Sequence, residues 1–315
     1  MSFTLYYASD IHGSDRLWRK FVNAGRFYEA DVLVMGGDIT GKAVVPIVRG
    51  ADGLRAPELI GDRIAPEEEL ESLEDRVRDR GFYPYVTSEE ELAEARGDEA
   101  KVAALFARAM ADSVRRWLML AEERLAGSGI RLYMMLGNDD EPALAEVLDA
   151  SPLGVTCEDI PVELAEQIEM LSCGIANPTP WDSPRELPED ELAAHLESLV
   201  EQLDDPSRSV FNLHVPPKGT ALDQAPALDD TLKPIVRGGS VEMTAAGSQA
   251  VRELIERHQP LVALHGHIHE SRGVTKIGRT VCINPGSEYG EGVLHGALLV
   301  LDGKKGLRNH QLVSG

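Results

Sequence analysis

The chain has 315 residues, enough to bury roughly three quarters of the surface that it exposes when unfolded, as one large α/β domain or two small ones. Its 31 basic and 53 acidic residues give a formal charge of −22, which disfavours long nucleic acid and anionic lipid surfaces as partners. The cysteines, which are odd in number and far apart in sequence, predict core thiols rather than a disulfide framework or a thiolate metal site: Cys157, Cys173 and Cys282.

The first predicted elements form a β-α-β unit. Apolar segments at 3–9 and 31–37 predict strands, and apolar side chains at helical spacing predict a helix between them. Strands joined in this way are parallel and buried, and their functional loops lie at their carboxyl ends. The loops SDIHGS at 9–14 and GGDITG at 36–41 occupy these positions.

The composition turns acidic and irregular from about residue 43 to 98. We interpret this segment as an acidic, partly helical insertion in a single domain of residues 1–315, and Ser88 and Glu91 have the spacing of a capping box. The segment is long for a simple connection and follows the Asp38 loop, so we expect it to cover the site and select substrates. The alternative is a solvated decoration.

Strands predominate in the second half of the sequence. A helix is predicted at 102–125 and ends at Gly127. Six apolar segments then predict strands: 131–136, 168–174, 209–214, 260–266, 280–284 and 296–302. Fewer helices separate these strands, so we expect a second, mixed or antiparallel sheet that packs on the first.

Polar residues follow five predicted strands at the points where the strands end: Asp10 with His12, Asp38, Asn138 with Asp139, His214, and His267 with His269. In an extended segment residues i and i+2 share a face, so Asp10 with His12 can direct two ligands at one place. One such cluster is weak evidence, since Asp-x-His is commonly a cap or a surface feature. The five together predict a dinuclear site for two divalent transition metal ions, with Mn, Fe, Zn and Ni as candidates.

This order of motifs resembles that of the calcineurin-like metallophosphoesterase family, and it extends from Asp10 to His269. The segments GGDITGK, ANPTPWDSP and INPGSEYGEG are similar to the Icc-related prokaryotic branch of that family. The resemblance implies an α/β fold, a four-layer αββα sandwich of two mixed β-sheets flanked by helices.

The resemblance also implies a ligand set and an activity. Asp10, His12 and His269 would hold the first metal, Asn138, His214 and His267 the second, and Asp38 would bridge them. Two metals about 3.5–4 Å apart can share a water, generate hydroxide near neutral pH and position phosphate oxygens for in-line attack. The expected substrate is a small phosphodiester or an activated phosphomonoester, with nucleotides among the candidates.

The sequence departs from the family pattern at position 139, where the family has a His that protonates the leaving group. An Asp side chain has a pKa of about 3.9 and neighbouring cations lower it, so we expect Asp139 to be ionised and a poor acid. It would also repel a phosphate dianion. The alternative is that Asp139 or Asp140 caps a helix that begins near Pro142.

Three further residues are candidates for the site. His265 shares a strand face with His267 if the segment is extended, which makes it a candidate proton donor, and the alternative is a packed or supporting histidine. Lys42 follows the Asp38 loop and is a candidate to bind phosphate, unless it is simply solvated. Asn138 is a candidate to bind substrate as well as metal.

A different class of function is a catalytically weak or inactive scaffold with the phosphoesterase fold, which would bind a nucleotide or a protein partner. Such a scaffold would not require all seven ligand positions. The sequence has no run that approaches the roughly 20 apolar residues of a membrane span. Its start lacks the features of a signal peptide, so we expect a cytoplasmic protein without a membrane partner. No pattern indicates the oligomeric state or the metal identity.

Overall fold

The computed structural model describes residues 2–315. The strands are β1 (Ser2–Ala8), β2 (Val32–Gly36), β3 (Val44–Gly50), β4 (Gly53–Arg55), β5 (Ile64–Ala65), β6 (Tyr83–Ser88), β7 (Arg131–Met135), β8 (Val162–Ala165), β9 (Ile168–Cys173), β10 (Val210–Leu213), β11 (Gln224–Pro226), β12 (Val236–Arg237), β13 (Ser240–Val241), β14 (Met243–Ala245), β15 (Val262–Leu264), β16 (Gly273–Ile277), β17 (Thr280–Asn284), β18 (His295–Asp302) and β19 (Gly306–Ser314). The α-helices are α1 (Asp15–Phe27), α2 (Leu70–Arg78), α3 (Glu89–Arg96), α4 (Glu99–Leu125), α5 (Ala145–Asp149), α6 (Glu189–Val200) and α7 (Gln249–His258).

Two mixed sheets form the centre of the molecule. The first has the strand order β19-β18-β1-β2-β7. In it β1, β2 and β7 are parallel to one another, and β18 runs antiparallel to both of its neighbours, β1 and β19. The second has the order β16-β17-β15-β10-β9-β8, with four parallel central strands and an antiparallel strand at each edge. The predicted second sheet is therefore present, and it is mixed.

Alternation of side chains along β1 shows how the layers pack. Leu5 and Tyr7 join an apolar cluster between the two sheets, which also contains Val210 and Val262 of the second sheet. Tyr6 faces the opposite side and belongs to the cluster formed with α1 and α4. The outer face of the second sheet packs in the same way against α6 and α7. The order helix, sheet, sheet, helix is the predicted four-layer sandwich.

The segment between β2 and α4 has a sheet and a core of its own. Its strands have the order β5-β4-β3-β6, and α2 and α3 pack beside them. The core consists of seven buried side chains: Ile47, Leu54, Ala56, Ile60, Ala65, Leu73 and Val77. The capping box predicted at the start of α3 is confirmed, because both of its hydrogen bonds, Glu91 N to Ser88 Oγ and Ser88 N to Glu91 Oε2, are present. We call this unit the insertion.

Residues 224–245 form two small antiparallel pairs, β11 with β14 and β12 with β13, before α7 begins. Several apolar side chains of this segment are exposed, among them Val236 and Met243. Over residues 2–315, none of the helices has both the length and the apolar character needed to cross a membrane.

Candidate metal centre

The carboxyl ends of five parallel strands meet at one edge of the two packed sheets. The first sheet contributes the loops after β1, β2 and β7, and the second contributes the loops after β10 and β15. All seven predicted metal ligands lie on these loops, and the structure brings them together: Asp10, His12, Asp38, Asn138, His214, His267 and His269.

The first group of ligands is Asp10, His12 and His269, whose ligand atoms all lie within 4.8 Å of one another. The Nε2 atoms of His12 and His269 are 3.0 Å apart, and His269 Nε2 is 3.5 Å from Asp10 Oδ1. Asp10 and His12 are each only 1% exposed. These three residues are the ones that the resemblance assigned to the first metal.

The second group is Asp38, His214 and His267, again with ligand atoms within 4.8 Å of one another. Asn138 joins it, because its Oδ1 is 2.8 Å from His267 Nδ1. Asp38 Oδ2 lies 3.4 Å from His214 Nε2 and 3.9 Å from His12 Nε2. Asp38 therefore stands between the two groups, the position that a bridging carboxylate needs.

His214 provides a test of whether these residues fit metal ions. Its Nδ1 donates to Gly36 O at 2.8 Å, whereas its buried Nε2 has no hydrogen-bond partner among residues 2–315. A metal-binding histidine has this arrangement, in which a carbonyl fixes one ring nitrogen and directs the other at the ion. A set of carboxylates, imidazoles and an amide suits first-row divalent ions, so the residues fit metal ions of this kind.

The ionisable groups of the site shift one another's pKa values strongly. Burial disfavours the charged imidazole of His214, but Asp38 and Asp10 outweigh this effect and raise its pKa to about 10. Burial likewise opposes ionisation of Asp10, yet His269 and His214 lower its pKa to about 2, and the pKa of Asp38 is held far below its usual range, chiefly by His214. Two buried carboxylates thus remain anionic and attract positive charge.

The backbone at the ligands differs from the extended segments that the sequence argument assumed. Four of the ligand residues have positive φ: Asp10 at 57°, His12 at 40°, Asp38 at 48° and His267 at 66°. Non-glycine residues adopt this region rarely and at a cost, and such residues cluster at functional sites. Tight turns, rather than strand alternation, therefore make the ligands converge, and the backbone N–H of His267 donates to Asp10 Oδ1 at 3.0 Å within this arrangement.

Gly137 explains why a glycine precedes Asn138. A Cβ atom at this position would lie 2.1 Å from Asp38 Oδ1, which is too close for any side chain. The absence of a side chain lets the Asn138 loop approach the central carboxylate, and Asp139 N donates to the same Oδ1 atom at 3.0 Å.

Asp139 faces the site and pairs with Lys42. Its Oδ2 is 2.7 Å from Lys42 Nζ, and its Oδ1 accepts hydrogen bonds from Ser183 Oγ at 2.9 Å and from Asn138 Nδ2 at 3.2 Å. A carboxylate oxygen of Asp139 also lies within 4.8 Å of potential ligand atoms of His12 and Asp38. The ammonium group balances the negative charge, so the repulsion of phosphate expected from Asp139 is reduced.

The prediction that Asp139 or Asp140 caps a helix is wrong. The short helical turn at Pro142–Leu144 follows Glu141, whose side chain makes no capping bond within the described chain. Asp140 is instead buried and accepts hydrogen bonds from Ile39 N at 3.0 Å, Thr40 N at 2.9 Å and Gly137 N at 2.8 Å. It ties the Asp38 loop to the Asn138 loop.

Among residues 2–315, His265 belongs to none of the candidate ligand groups. It is completely buried, and its Nδ1 is 2.8 Å from Leu213 O and 3.1 Å from Val215 O, the carbonyls on either side of His214. Burial lowers its pKa to about 4, so the ring is neutral. Its Nε2 is buried and has no hydrogen-bond partner among residues 2–315, as is also true of His214. Proton donation by His265 stays a prediction.

The sequence argument missed several residues that support the site. Arg185 Nη1 donates to Gly137 O at 3.0 Å and Arg185 N donates to Asn138 O at 3.2 Å, while the guanidinium pairs with Glu158. The ring of Tyr289 lies 4.6 Å from that of His12, between centroids. Tyr289 lies in the segment INPGSEYGEG, which resembles the family but carries no assigned role, and Arg185 has no local signal because it acts through contacts between segments that are distant in sequence.

The sequence comparisons with known proteins give one partial relative. None of the protein-family models matches the sequence. The uncharacterized protein MJ1162 of Methanocaldococcus jannaschii is 31% identical over 152 residues. The match covers 47% of this chain and 61% of that protein, so it spans less than two thirds of the relative's length.

Two solved structures superpose on almost the whole chain. One is 18% identical with a TM-score of 0.58 and covers 99% of both chains. The protein TT1561 of Thermus thermophilus is 14% identical with a TM-score of 0.52 and covers 100% of this chain and 99% of that chain. The fold is that of the calcineurin-like phosphoesterases, as the sequence motifs predicted.

Proposed function

We propose that the protein is a dinuclear metal-dependent phosphoesterase that hydrolyses a small phosphodiester or an activated phosphomonoester. The observation that carries the proposal is the convergence of Asp10, His12 and His269 beside Asp38, His214 and His267, with Asp38 between the groups. Two divalent ions bound there would supply a Lewis acid for phosphate oxygens and a water of lowered pKa.

The protein's own groups divide the work around this centre. Asp38 would touch both ions, and Gly36 O holds the His214 ring so that Nε2 faces them. Asn138 Oδ1 lies beside His267 and would complete the second group, within reach of substrate. We retain two ions, from Mn, Fe, Zn or Ni, as part of the proposal.

Lys42 is the group that we assign to binding of a phosphate oxygen. Partial burial disfavours its charge, but the hydrogen bond to Asp139 outweighs this effect and raises the pKa of the ammonium group. Lys42 therefore stays protonated at neutral pH and attracts the anionic substrate. A tightly held proton is given up only to a strongly basic oxygen, so we propose that the enzyme depends mainly on the leaving group's own acidity.

The other predicted function, an inactive scaffold for a nucleotide or protein, would follow if the replacement of the family's His by Asp139 removed activity. Against it, an inactive scaffold has no need of two buried carboxylates that face His214 Nε2 at 3.4 and 3.9 Å. A cytoplasmic location and a small phosphate-ester partner complete the proposal.

The decisive experiment combines metal content with activity. Protein reconstituted with Mn²⁺ should contain two ions per chain and hydrolyse bis-p-nitrophenyl phosphate, whereas Asp38→Ala should lose both ions and the activity because its carboxylate lies between the groups. Asp75→Ala, which removes a carboxylate that is 61% exposed on α2, is the matched control and should keep both. Two ions at wild-type affinity in Asp38→Ala would refute the assignment of Asp38. An inactive wild type with two bound ions would instead favour the scaffold.

A further inference from the structure

A cleft of about 630 Å³ opens beside His269, one of the candidate ligands. The insertion supplies one wall through Leu59, Arg80 and Phe82. The loop after β17 supplies the other wall through Tyr289, whose ring centroid is 5.8 Å from that of His269. The cleft is therefore continuous with the first group of ligands, and it is large enough for an organic group of drug-like size.

The insertion is fixed directly to the loops that carry the ligands. Gly81, with φ of +84°, passes so close to the backbone of His12 that a Cβ atom would lie 2.2 Å from His12 O. Ser14 Oγ donates to Asp79 O at 2.8 Å, and Gly41 N donates to the Tyr83 hydroxyl at 2.8 Å. These contacts hold the wall at a defined distance from the candidate metal centre.

The surface that the walls present is apolar and aromatic. Leu59 and Phe82 are half-buried because they pack against the core of the insertion, and their remaining surface faces the cleft. Tyr289 adds a second ring, and Arg80 is held beside Leu59 by a hydrogen bond to its carbonyl. Aromatic and guanidinium groups of this kind bind planar rings by stacking.

The charges at the cleft disfavour a second phosphate. Two arginines and three glutamates border it, which gives a formal charge of −1: Arg80, Arg272, Glu270, Glu288 and Glu291. A neutral ring therefore suits the cleft better than another anionic group.

We infer that this cleft binds the ester group that stays attached to phosphorus in a phosphodiester, and that this group carries a planar ring. The inference rests on the proposed function, which places the phosphate at the metal centre. As part of this inference we place the departing oxygen beside the pair of Lys42 and Asp139, and the cleft borders His269 of the first group. The cleft beside His269 is then left for the second ester group.

Binding and hydrolysis test the inference separately. The binding probes are naphthylmethylphosphonate and methylphosphonate, measured by calorimetry on metal-reconstituted protein, because phosphonates are not hydrolysed. The substrates are the naphthylmethyl and methyl esters of p-nitrophenyl phosphate, which share one leaving group. The wild type should prefer the naphthylmethyl compound in both assays.

Phe82→Ala should reduce this preference about five- to tenfold, the low end of the loss expected for a stacked ring because Tyr289 remains. Phe82→Leu, which keeps the apolar wall without a ring, should give an intermediate loss. Ile64→Ala is the matched control, since Ile64 is a 58% exposed residue of the same insertion on β5, away from the cleft, and it should keep the preference.

Equal binding of the two phosphonates to wild type, or an unchanged preference in a folded Phe82→Ala protein, would overturn the inference. If neither ester is hydrolysed but the difference in phosphonate binding depends on Phe82, the proposed function fails while the cleft assignment stands. The two failures are therefore distinguishable.

Discussion

Replacing Asp139 with His should change how hydrolysis depends on the leaving group. In the wild type Asp139 Oδ2 is 2.7 Å from Lys42 Nζ, and Oδ1 accepts a hydrogen bond from Ser183 Oγ at 2.9 Å. A carboxylate paired with an ammonium group has no proton to give, so charge accumulates on the departing oxygen in the transition state. The rate should therefore fall steeply as the pKa of the leaving group rises.

The magnitude follows from what a general acid supplies, which is typically about 10²–10⁴-fold. We expect Asp139→His to hydrolyse esters with the poorest leaving groups about 10²-fold faster, the low end of that range. The low end is appropriate because, among the groups that now contact Asp139, only Ser183 would orient the new imidazole ring. Nitrophenyl esters should gain little. Loss of the pair with Lys42 acts on all esters alike, and because the Lys42 side chain is 54% exposed, we expect a change of about fivefold at most.

The assay is kcat/KM for a series of aryl phosphodiesters, plotted against leaving-group pKa for wild type, Asp139→His and Asp139→Asn. The Asn variant removes the charge without adding an acid, so it should shift every ester equally and preserve the slope. Solvent viscosity identifies whether chemistry limits the rate. If chemistry is limiting and wild type is insensitive to leaving-group pKa, the reasoning about Asp139 is refuted and Lys42 becomes the candidate donor.

Three further predictions test the surroundings of the site. Gly137→Ala should lower metal affinity at least about tenfold, as calorimetry would show, because the new Cβ would lie 2.1 Å from Asp38 Oδ1; unchanged affinity would contradict the close approach. Arg185→Met should weaken metal binding by about 10–100-fold by releasing the carbonyls that hold the Asn138 loop, without changing the fold seen by circular dichroism; wild-type affinity would show that Arg185 does not position that loop. Alkylation of the three cysteines by iodoacetamide should be negligible at pH 8 until the protein unfolds. Burial raises the thiol pKa of Cys157 and Cys282 to about 12 and that of Cys173 further. Rapid labelling of the native protein would contradict this prediction.

The elements that the sequence predicted well are the buried ones with clear periodicity. Every predicted strand of the two central sheets is present, and the helix predicted at 102–125 is α4. These elements were predictable because continuous or periodic apolar segments are stable only where their side chains are buried in the interior. The candidate ligands could be proposed for a related reason: polar side chains at the ends of buried strands need an explanation other than solubility.

The strands of the insertion were missed for a physical reason. Pro46 lies within β3 and Pro84 within β6, and proline lowers the expectation of a strand because it cannot donate to the ladder. The remaining strands of this unit have two or three residues, too few for a pattern of alternation. Their small core stabilises them, and that core exists only after residues distant in sequence have met.

The backbone conformation of the loops that carry the candidate ligands could not be predicted from the sequence either. Asp10 and His12 do lie close together, as predicted from their i, i+2 spacing, but the extended geometry assumed for them was wrong, since both have positive φ. The pairing of Lys42 with Asp139 joins residues of two different loops and carries no local signal. The sequence shows which charged side chains are present, whereas the packing of the two sheets decides which of them come into contact.

Each candidate metal position takes ligands from both sheets. The first combines Asp10 and His12 with His269, and the second combines Asn138 with His214 and His267. An ion held in this way is a cross-link that closes a chain loop running from residue 10 to residue 269, and its binding free energy adds to the free energy of unfolding. A ribosome that has released only β1, β2 and β7 has released Asp10, His12 and Asn138, which are two of the three residues of the first set and one of the three of the second. Tight metal binding must therefore await the synthesis of β15 and the loop after it, and the docking of the second sheet.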